Sequence, residues 1–232
     1  MRRFYKQTSV GEADGGWRVL LDGRPVRTAG GKPQIVASRP LAEAMAAEWS
    51  QPGEDIDAGS LPLRDLADFA LDAVCGNRAA TIAELAGYAE TDMLCYRAEE
   101  GEPLHARQLE VWEPLLAKAE RRWDVHFLRV SGILHEAQPV ETLARMESVL
   151  DAESDFALAS LRMLTSLSAS LVIALSAIAP GADSAALWTA ANLEEDWQAE
   201  LWGQDAEAQA RRQARYDAFA LAMRFAALAR TP

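Results

Sequence analysis

The spacing of apolar residues changes once along this chain, and that change limits what the chain can fold into. In roughly the first forty residues apolar and polar side chains alternate, as in Phe4–Val10 and Trp17–Leu21, which predicts β-strands. From Ser38 onward apolar residues recur at helical spacing. Strands that come first and helices that follow are typical of an α+β fold. We predict a small antiparallel β-rich N-terminal domain, residues 1–60, and a larger, mainly α-helical domain, residues 61–232.

Turn and capping residues predict several boundaries. Asp22-Gly23 follows a strand pattern and is among the strongest short signals for a β-hairpin. Ser38 stands where the N-cap of the first helix belongs. Helical spacing predicts a third helix that extends to Tyr96, and Ser184 is predicted to cap a later helix.

The segment Asp155–Ala179 is rich in Ala, Leu and Ser on nearly every side, which predicts one helix surrounded by others. Its uncharged part, Met163–Ala179, is the alternative candidate for a membrane span. That part is at the short limit for a span and contains several hydroxyl side chains. We therefore predict a buried helix that packs closely against its neighbours.

The charge balance disfavours polyanionic partners. The chain has 35 acidic residues and 23 Lys and Arg residues, a formal net charge of -12. That sign opposes binding to nucleic acid or anionic lipid, but it can complement a basic surface on another protein. The first residues contain no apolar run of signal-peptide length, so we expect a soluble protein of the bacterial cytoplasm, or of the mitochondrial matrix in a processed form.

The sequence contains no recognisable motif for nucleotide binding, for a nucleophile elbow or for a zinc protease. Gly30-Gly31-Lys32 leads into Pro33 rather than into a phosphate-binding loop, and no nucleophile elbow or zinc-protease motif is present. Cys75 and Cys95 lie twenty positions apart without a CxxC motif, which predicts two free, buried or half-buried thiols in a reducing compartment. We predict no catalytic activity, no cofactor and no metal.

Three consecutive carboxylates adjoin two tryptophans near the C-terminal end. On a helix, Glu194, Gln198 and Leu201 or Trp202 share one face, while Trp197 and Leu201 share another. One interpretation is an amphipathic helix whose tryptophans are core and whose acids are solvated. The other is a partner-binding face that contains Glu194, Glu195, Trp197, Gln198 and Trp202, because Trp is enriched at interface hot spots and the acids would select a basic partner.

Short stretches spread over most of the chain also form an ordered series: Arg3-Phe4-Tyr5, Leu21-Asp22 with Arg24 and Thr28, Glu48-Trp49, Thr91-Asp92, Cys95-Tyr96-Arg97, Glu102-Pro103-Leu104, Trp112 with Pro114, and Glu194 with Gln198 and Trp202-Gly203. In order and spacing this series resembles the Atp-twelve family, the assembly chaperones of the alpha subunit of the ATP synthase catalytic head. The chain departs from the family pattern at Ser50, Gly101 and Glu113.

The resemblance implies a strand-rich N-terminal domain, a helical C-terminal domain and a non-enzymatic function. The protein would be a monomer that covers the apolar surface of the free alpha subunit without nucleotide. Glu194 would be the main partner-binding residue, followed by Gln198 and Trp202, whereas Asp92 and Arg97 would be structural. The alternative is a small-ligand-binding protein or hydrolase that uses Glu194, Asp92 and His105 in a cleft between the domains.

Overall fold

The structure, a computed structural model, describes residues 2–132, 135–203 and 205–230. These residues form two compact units. The first contains residues 2–78, 154–160 and 223–230; the second contains the described residues of 79–153 and 161–222. The predicted domain boundary at residue 60 stays a prediction. The fold class is the predicted one, an antiparallel N-terminal sheet followed by a mainly helical chain.

The first unit is built on a three-stranded antiparallel sheet, in which the strands are adjacent in chain order. Its strands are β1 (Thr8–Ala13), β2 (Gly16–Leu21) and β3 (Arg24–Pro25). Asp22 and Gly23 both have positive φ, 48° and 76°, so the predicted hairpin between β2 and β3 is confirmed.

The first strand begins later than predicted, at Thr8 rather than at Phe4. The Asp22 carboxylate accepts hydrogen bonds from the backbone N–H groups of Lys6 and Gln7. The hydroxyl of Tyr5 donates to the carbonyl oxygen of Trp49, and its ring is buried. The residues before β1 are therefore held by side-chain contacts and by isolated backbone hydrogen bonds, such as that from Arg3 N to the carbonyl oxygen of Glu54 at 2.7 Å, instead of by a regular ladder.

Two helices of the first unit follow the sheet, α1 (Arg39–Trp49) and α2 (Pro62–Phe69), and α2 continues as a π-helical turn, Ala70–Val74. Ser38 caps α1 as predicted, since its Oγ accepts from Leu41 N at 3.1 Å. The Glu48 carboxylate accepts from the first backbone N–H groups of α2, those of Leu63 and Arg64, at 2.7 and 3.0 Å.

Residues from two distant stretches of the chain complete the first unit. The hydroxyl of Ser38 donates to the carbonyl oxygen of Leu228 at 2.6 Å. The rings of Phe156 and Phe225 lie 6.1 Å apart, and Phe225 is fully buried. The core of this unit therefore depends on residues 154–160 and 223–230 as well as on residues 2–78.

The second unit is mainly helical. Tyr96 and Arg97 pair in parallel with Val130 and Ser131 in a two-stranded sheet. In chain order, the further elements are α3 (Arg78–Glu90), β4 (Tyr96–Arg97), α4 (Pro103–Trp123), β5 (Val130–Ser131), α5 (Val140–Asp151), α6 (Asp155–Ser168), α7 (Leu171–Ala177), α8 (Ser184–Ala191), α9 (Leu193–Trp202) and α10 (Ala206–Arg230), of which α3, α6 and α10 also contribute residues to the first unit.

The prediction that the third helix reaches Tyr96 was wrong, because α3 ends at Glu90. The Asp92 side chain caps a single 3₁₀ turn by accepting from Leu94 N at 3.1 Å, and Tyr96 then enters β4. The prediction for Ser184 was also wrong by one residue. Asp183 is the N-cap of α8, and its carboxylate accepts from the backbone N–H groups of two residues of that helix.

The segment Asp155–Ala179 is buried for most of its length but is two helices rather than one. Ala169 has a φ of 51°, which ends α6, and the hydroxyl of Ser170 caps α7 by accepting from Ile173 N at 3.0 Å. Asp92 contacts the start of α7, where its Oδ2 accepts from Val172 N at 3.0 Å. Among the helices of the described ranges, none has the length and apolar character needed to cross a membrane.

The two thiols are both free, as predicted, but only one is buried. Cys95 is fully buried, and burial raises its pKa. Cys75 is exposed, contrary to the prediction, because it follows Val74, the last buried residue of the π-helical turn.

Candidate protein-binding site

The segment that carries the predicted contact residues is helix α9, and one of its faces is directed toward α4. Arg107 of α4 makes a bidentate ion pair with Glu200, at 2.6 and 2.8 Å. Its guanidinium also lies 5.7 Å from the centre of the Trp197 ring. These hydrogen bonds lower the pKa of Glu200. Trp197 is therefore half-buried and engaged within the chain.

A second face of α9 is directed toward α10 through two ion pairs. Asp196 contacts Arg212 at 2.6 Å, and Glu195 contacts Arg215 at 3.3 Å. Partial burial raises the pKa of Asp196 even though Arg212 opposes that shift. Glu195 thus contacts a residue of its own chain instead of facing solvent freely.

The remaining face carries Glu194, Gln198, Leu201 and Trp202, and all four are exposed. They lie at positions i, i+4, i+7 and i+8, so they form one stripe, which we call the outer face of α9. Leu201 is 56% exposed and Trp202 is 78% exposed, a high value for a tryptophan. The predicted alignment of Glu194, Gln198 and Trp202 is confirmed by this helix.

A buried amide holds the carboxylate at the start of this stripe. Nε2 of Gln108 donates to Oε1 of Glu194 at 2.7 Å, and Oε1 of Gln108 accepts from Ala98 N at 2.8 Å. Gln108 is fully buried. Since the amide is fixed at both ends, it restricts where the exposed carboxylate of Glu194 can lie.

We did not identify Gln108 from the sequence, although a signal was present. It is a single polar residue on the buried stripe of α4 that also contains Trp112, Leu116 and Trp123. Burial of an uncompensated amide is costly, so a polar residue at such a position indicates a specific partner. The position alone does not say that the partner is Glu194.

A buried arginine, Arg97, contacts α4 at Gln108 and Trp112. Arg97 donates to the carbonyl oxygen of Gln108 at 2.9 Å, and its guanidinium lies 5.4 Å from the centre of the Trp112 ring. The indole N–H of Trp112 donates to the carbonyl oxygen of Ala190 at 2.8 Å, one residue before the end of α8. Desolvation lowers the pKa of Arg97, although its ion pair with Glu113 opposes this.

The polar residues of the alternative function are not brought together. Asp92 is fully buried, its oxygens accept from backbone N–H groups, and burial raises its pKa to about 6. Glu194 is exposed, and His105 is half-buried. In the described part of the chain no hydrogen bond or ion pair connects any two of these residues, and no group of three His, Cys, Asp or Glu side chains could hold a metal ion.

Comparison with solved structures identifies the class of protein. A crystal structure of Atp12 from Paracoccus denitrificans superimposes with a TM-score of 0.94 at 34% identity, covering 99% of this chain and 98% of that one. A crystal structure of an Agrobacterium tumefaciens protein gives a TM-score of 0.92, also at 34% identity, and covers 98% of this chain and 85% of that one. The fold is thus that of a chaperone of known structure.

Comparison of sequences identifies the family. The family model described as ATP12 chaperone protein matches residues 2–120. The protein atp12, mitochondrial, of Schizosaccharomyces pombe is 26% identical over 214 residues, 87% of this chain and 74% of that protein. This chain belongs to the ATP12 chaperone family, and the resemblance described from its sequence motifs is confirmed.

Proposed function

We propose that this chain binds the free alpha subunit of the ATP synthase catalytic head through the outer face of α9. Membership of the ATP12 chaperone family supports the coarser role, assembly of the ATP synthase. The observation that carries the finer proposal is the exposure of Trp202 and Leu201 beside the held carboxylate of Glu194. Such a stripe complements an apolar surface bordered by basic groups.

The proposed mechanism is reversible covering of a surface that aggregates when it is free. An unassembled subunit exposes apolar area that later faces its neighbour, and such area promotes aggregation. A protein that binds this area lowers the concentration of the free subunit by mass action, without nucleotide hydrolysis. We place this activity in the bacterial cytoplasm, or in the mitochondrial matrix for a processed form.

The residues of α9 have different proposed roles. Glu194 supplies a carboxylate that Gln108 already holds, so little side-chain entropy is lost on binding. Trp202 supplies apolar area with few rotatable bonds, and Gln198 supplies an amide that has no partner among the described residues. Glu195 and Trp197, which we also predicted as contacts, are proposed to act by holding α9 against α10 and α4.

The test is the affinity of purified alpha subunit for the Glu194→Gln and Glu194→Lys variants. The Gln variant keeps an acceptor for Gln108, so its unfolding free energy should change by about 0.5 kcal/mol or less. Its affinity should fall at least about tenfold, because a basic group of the partner loses its counter-charge. The Lys variant should be weaker still, since repulsion is added.

Glu141 is the matched control for these variants. It is exposed and is the second residue of α5, as Glu194 is the second residue of α9, so changes of charge meet the same helix dipole. Glu141→Gln and Glu141→Lys should leave the affinity within about twofold of wild type. Equal losses of affinity at both positions, or a loss of stability in the Glu194 variants with unchanged affinity, would mean that Glu194 has a structural role instead.

The chaperone activity itself is tested by light scattering of diluted alpha subunit without nucleotide. We expect suppression of scattering by a few-fold molar excess of this protein. No suppression at that excess would contradict the proposal, and a strict need for ATP would contradict the mechanism.

A further inference from the structure

Charge is distributed very unevenly along this acidic chain. Residues 1–37 contain seven Lys and Arg residues and three acidic residues. Residues 38–232 contain 16 Lys and Arg residues and 32 acidic residues. The strand-rich start of the chain is therefore basic, although the protein as a whole has a net charge of -12. A local excess of one sign attracts ligands of the other sign.

A groove of about 580 Å³ lies within the first unit beside β3. Its lining includes the aromatic residues Phe4, Tyr5 and Trp49 and the basic residues Arg24 and Arg27. It also includes one acidic residue, Asp22, whose carboxylate accepts from two backbone N–H groups of the chain. The ring of Tyr5 lies edge-on to both of the other rings, with centroid separations of 5.3 and 6.0 Å. The groove therefore combines an aromatic surface with two guanidinium groups.

Several groups of this groove remain available to a ligand. Phe4 is 69% exposed, and the side chain of Arg24 is exposed and makes no hydrogen bond or ion pair with any described residue. Trp49 is only 6% exposed, and its indole N–H has no acceptor within the described ranges. Arg27 donates to the carbonyl oxygen of Gly31 at 2.8 Å, which positions its charge without neutralising it.

The edge of the sheet does not offer a ladder for strand addition at this point. Pro25 has no backbone N–H, and the N–H of Val26 donates inward to the carbonyl oxygen of Val19 at 3.0 Å. A ligand of this groove must therefore be recognised through side chains.

We propose that this groove binds an extended acidic segment of a partner protein. An aromatic or aliphatic side chain of that segment packs on Phe4, and its carboxylates pair with Arg24 and Arg27. A short peptide presents its negative charges to the groove alone. A nucleic acid or an anionic membrane presents a much larger negative surface, which the acidic remainder of the chain repels. This proposal does not depend on the outer face of α9.

The experiment uses the full chain and a fluorescein-labelled ten-residue peptide, in which Phe-Leu is flanked on each side by four Asp and Glu residues. Fluorescence anisotropy measures its affinity. Arg24→Glu should weaken binding by about tenfold or more, because it reverses a charge at the contact. Phe4→Ala should weaken binding by about fivefold or more, because it removes the exposed ring.

Arg224→Glu is the matched control, since Arg224 is exposed, belongs to the same unit and is not part of the groove lining. It should change the affinity by less than about twofold, and Glu194→Lys should leave the affinity no lower than wild type. No binding by wild type, or equal losses at Arg24 and Arg224, would overturn the proposal. Binding of phosphatidylserine vesicles or of a thymidine oligonucleotide that Arg24→Glu abolishes, without peptide binding, would also overturn it.

Discussion

Two regions of the second unit use carboxylates in opposite ways. At the break between α6 and α7, both oxygens of Asp92 accept from backbone N–H groups, and the side chain is fully buried. On the outer face of α9, Glu194 receives one hydrogen bond from Gln108 and is otherwise exposed. The carboxylate of Asp92 therefore stabilises the fold, whereas the carboxylate of Glu194 is held in place but can still accept hydrogen bonds from a partner. The family motifs in this sequence therefore include both residues that stabilise the fold, such as Asp92, and candidate partner-binding residues, such as Glu194.

The largest expected difference between the two regions comes from placing an arginine in each. Leu171 is fully buried at the start of α7, so Leu171→Arg should destabilise the fold by about 4 kcal/mol or more, because the charge has no partner. Leu201 is 56% exposed, so Leu201→Arg should cost about 0.5 kcal/mol or less. Denaturant unfolding of both variants measures this. Similar costs would mean that the two regions are not distinct in burial.

Removing each carboxylate should give a smaller contrast. Asp92→Ala leaves the N–H groups of Leu94 and Val172 buried without acceptors, which should cost about 2 to 4 kcal/mol. Glu194→Ala should cost about 1 kcal/mol or less, because removal of the exposed Glu194 side chain opens the amide of Gln108 to water. Thermal unfolding of the two variants tests the order, and a larger cost at Glu194 would reverse our assignment of roles.

The pH dependence of stability sharpens the comparison further. The pKa of Asp92 is raised by burial from its ordinary value of 3.8 to about 6, so the folded chain binds this proton more readily than the unfolded chain. Its contribution to stability is therefore fully present below about pH 4 and is lost as the pH rises through 6, by up to about 3 kcal/mol.

This effect is measured as the difference in unfolding free energy between wild type and Asp92→Asn from pH 4 to pH 7.5. Asparagine does not titrate, so the other carboxylates cancel in the difference. We expect the advantage of wild type to shrink as the pH rises across this range. A constant difference would show that the burial of Asp92 does not perturb its proton affinity.

Local chemistry was sufficient to predict many elements of this fold. The hairpin at Asp22-Gly23 follows from the tolerance of these residues for positive φ, and the start of α1 follows from the capping hydroxyl of Ser38. The alignment of Glu194, Gln198 and Trp202 follows from helical spacing alone. Each of these features depends on residues that are close together in the sequence.

The features that we did not predict depend on distant residues. Ala169 adopts a positive φ in a segment of good helix formers, and the backbone there is held by Asp92, about 80 residues earlier, through Val172. The hydrogen bond from Gln108 to Glu194 joins two residues that are 86 positions apart in the sequence. Periodicity within one segment contains no information about such pairs, so neither the helix break nor the support of Glu194 could be derived from it.

The composition of the first unit has a consequence for the order of events during synthesis. Its core includes Phe225, which packs against Phe156, and Ser38 is hydrogen-bonded to Leu228, so the unit cannot close when its first 78 residues leave the ribosome. At about 5 to 20 residues per second, translation reaches residue 223 roughly 7 to 30 seconds after residue 78. During that delay the nascent strands and α1 remain without part of their core, and the chaperone is itself a vulnerable chain until its last long helix has been made.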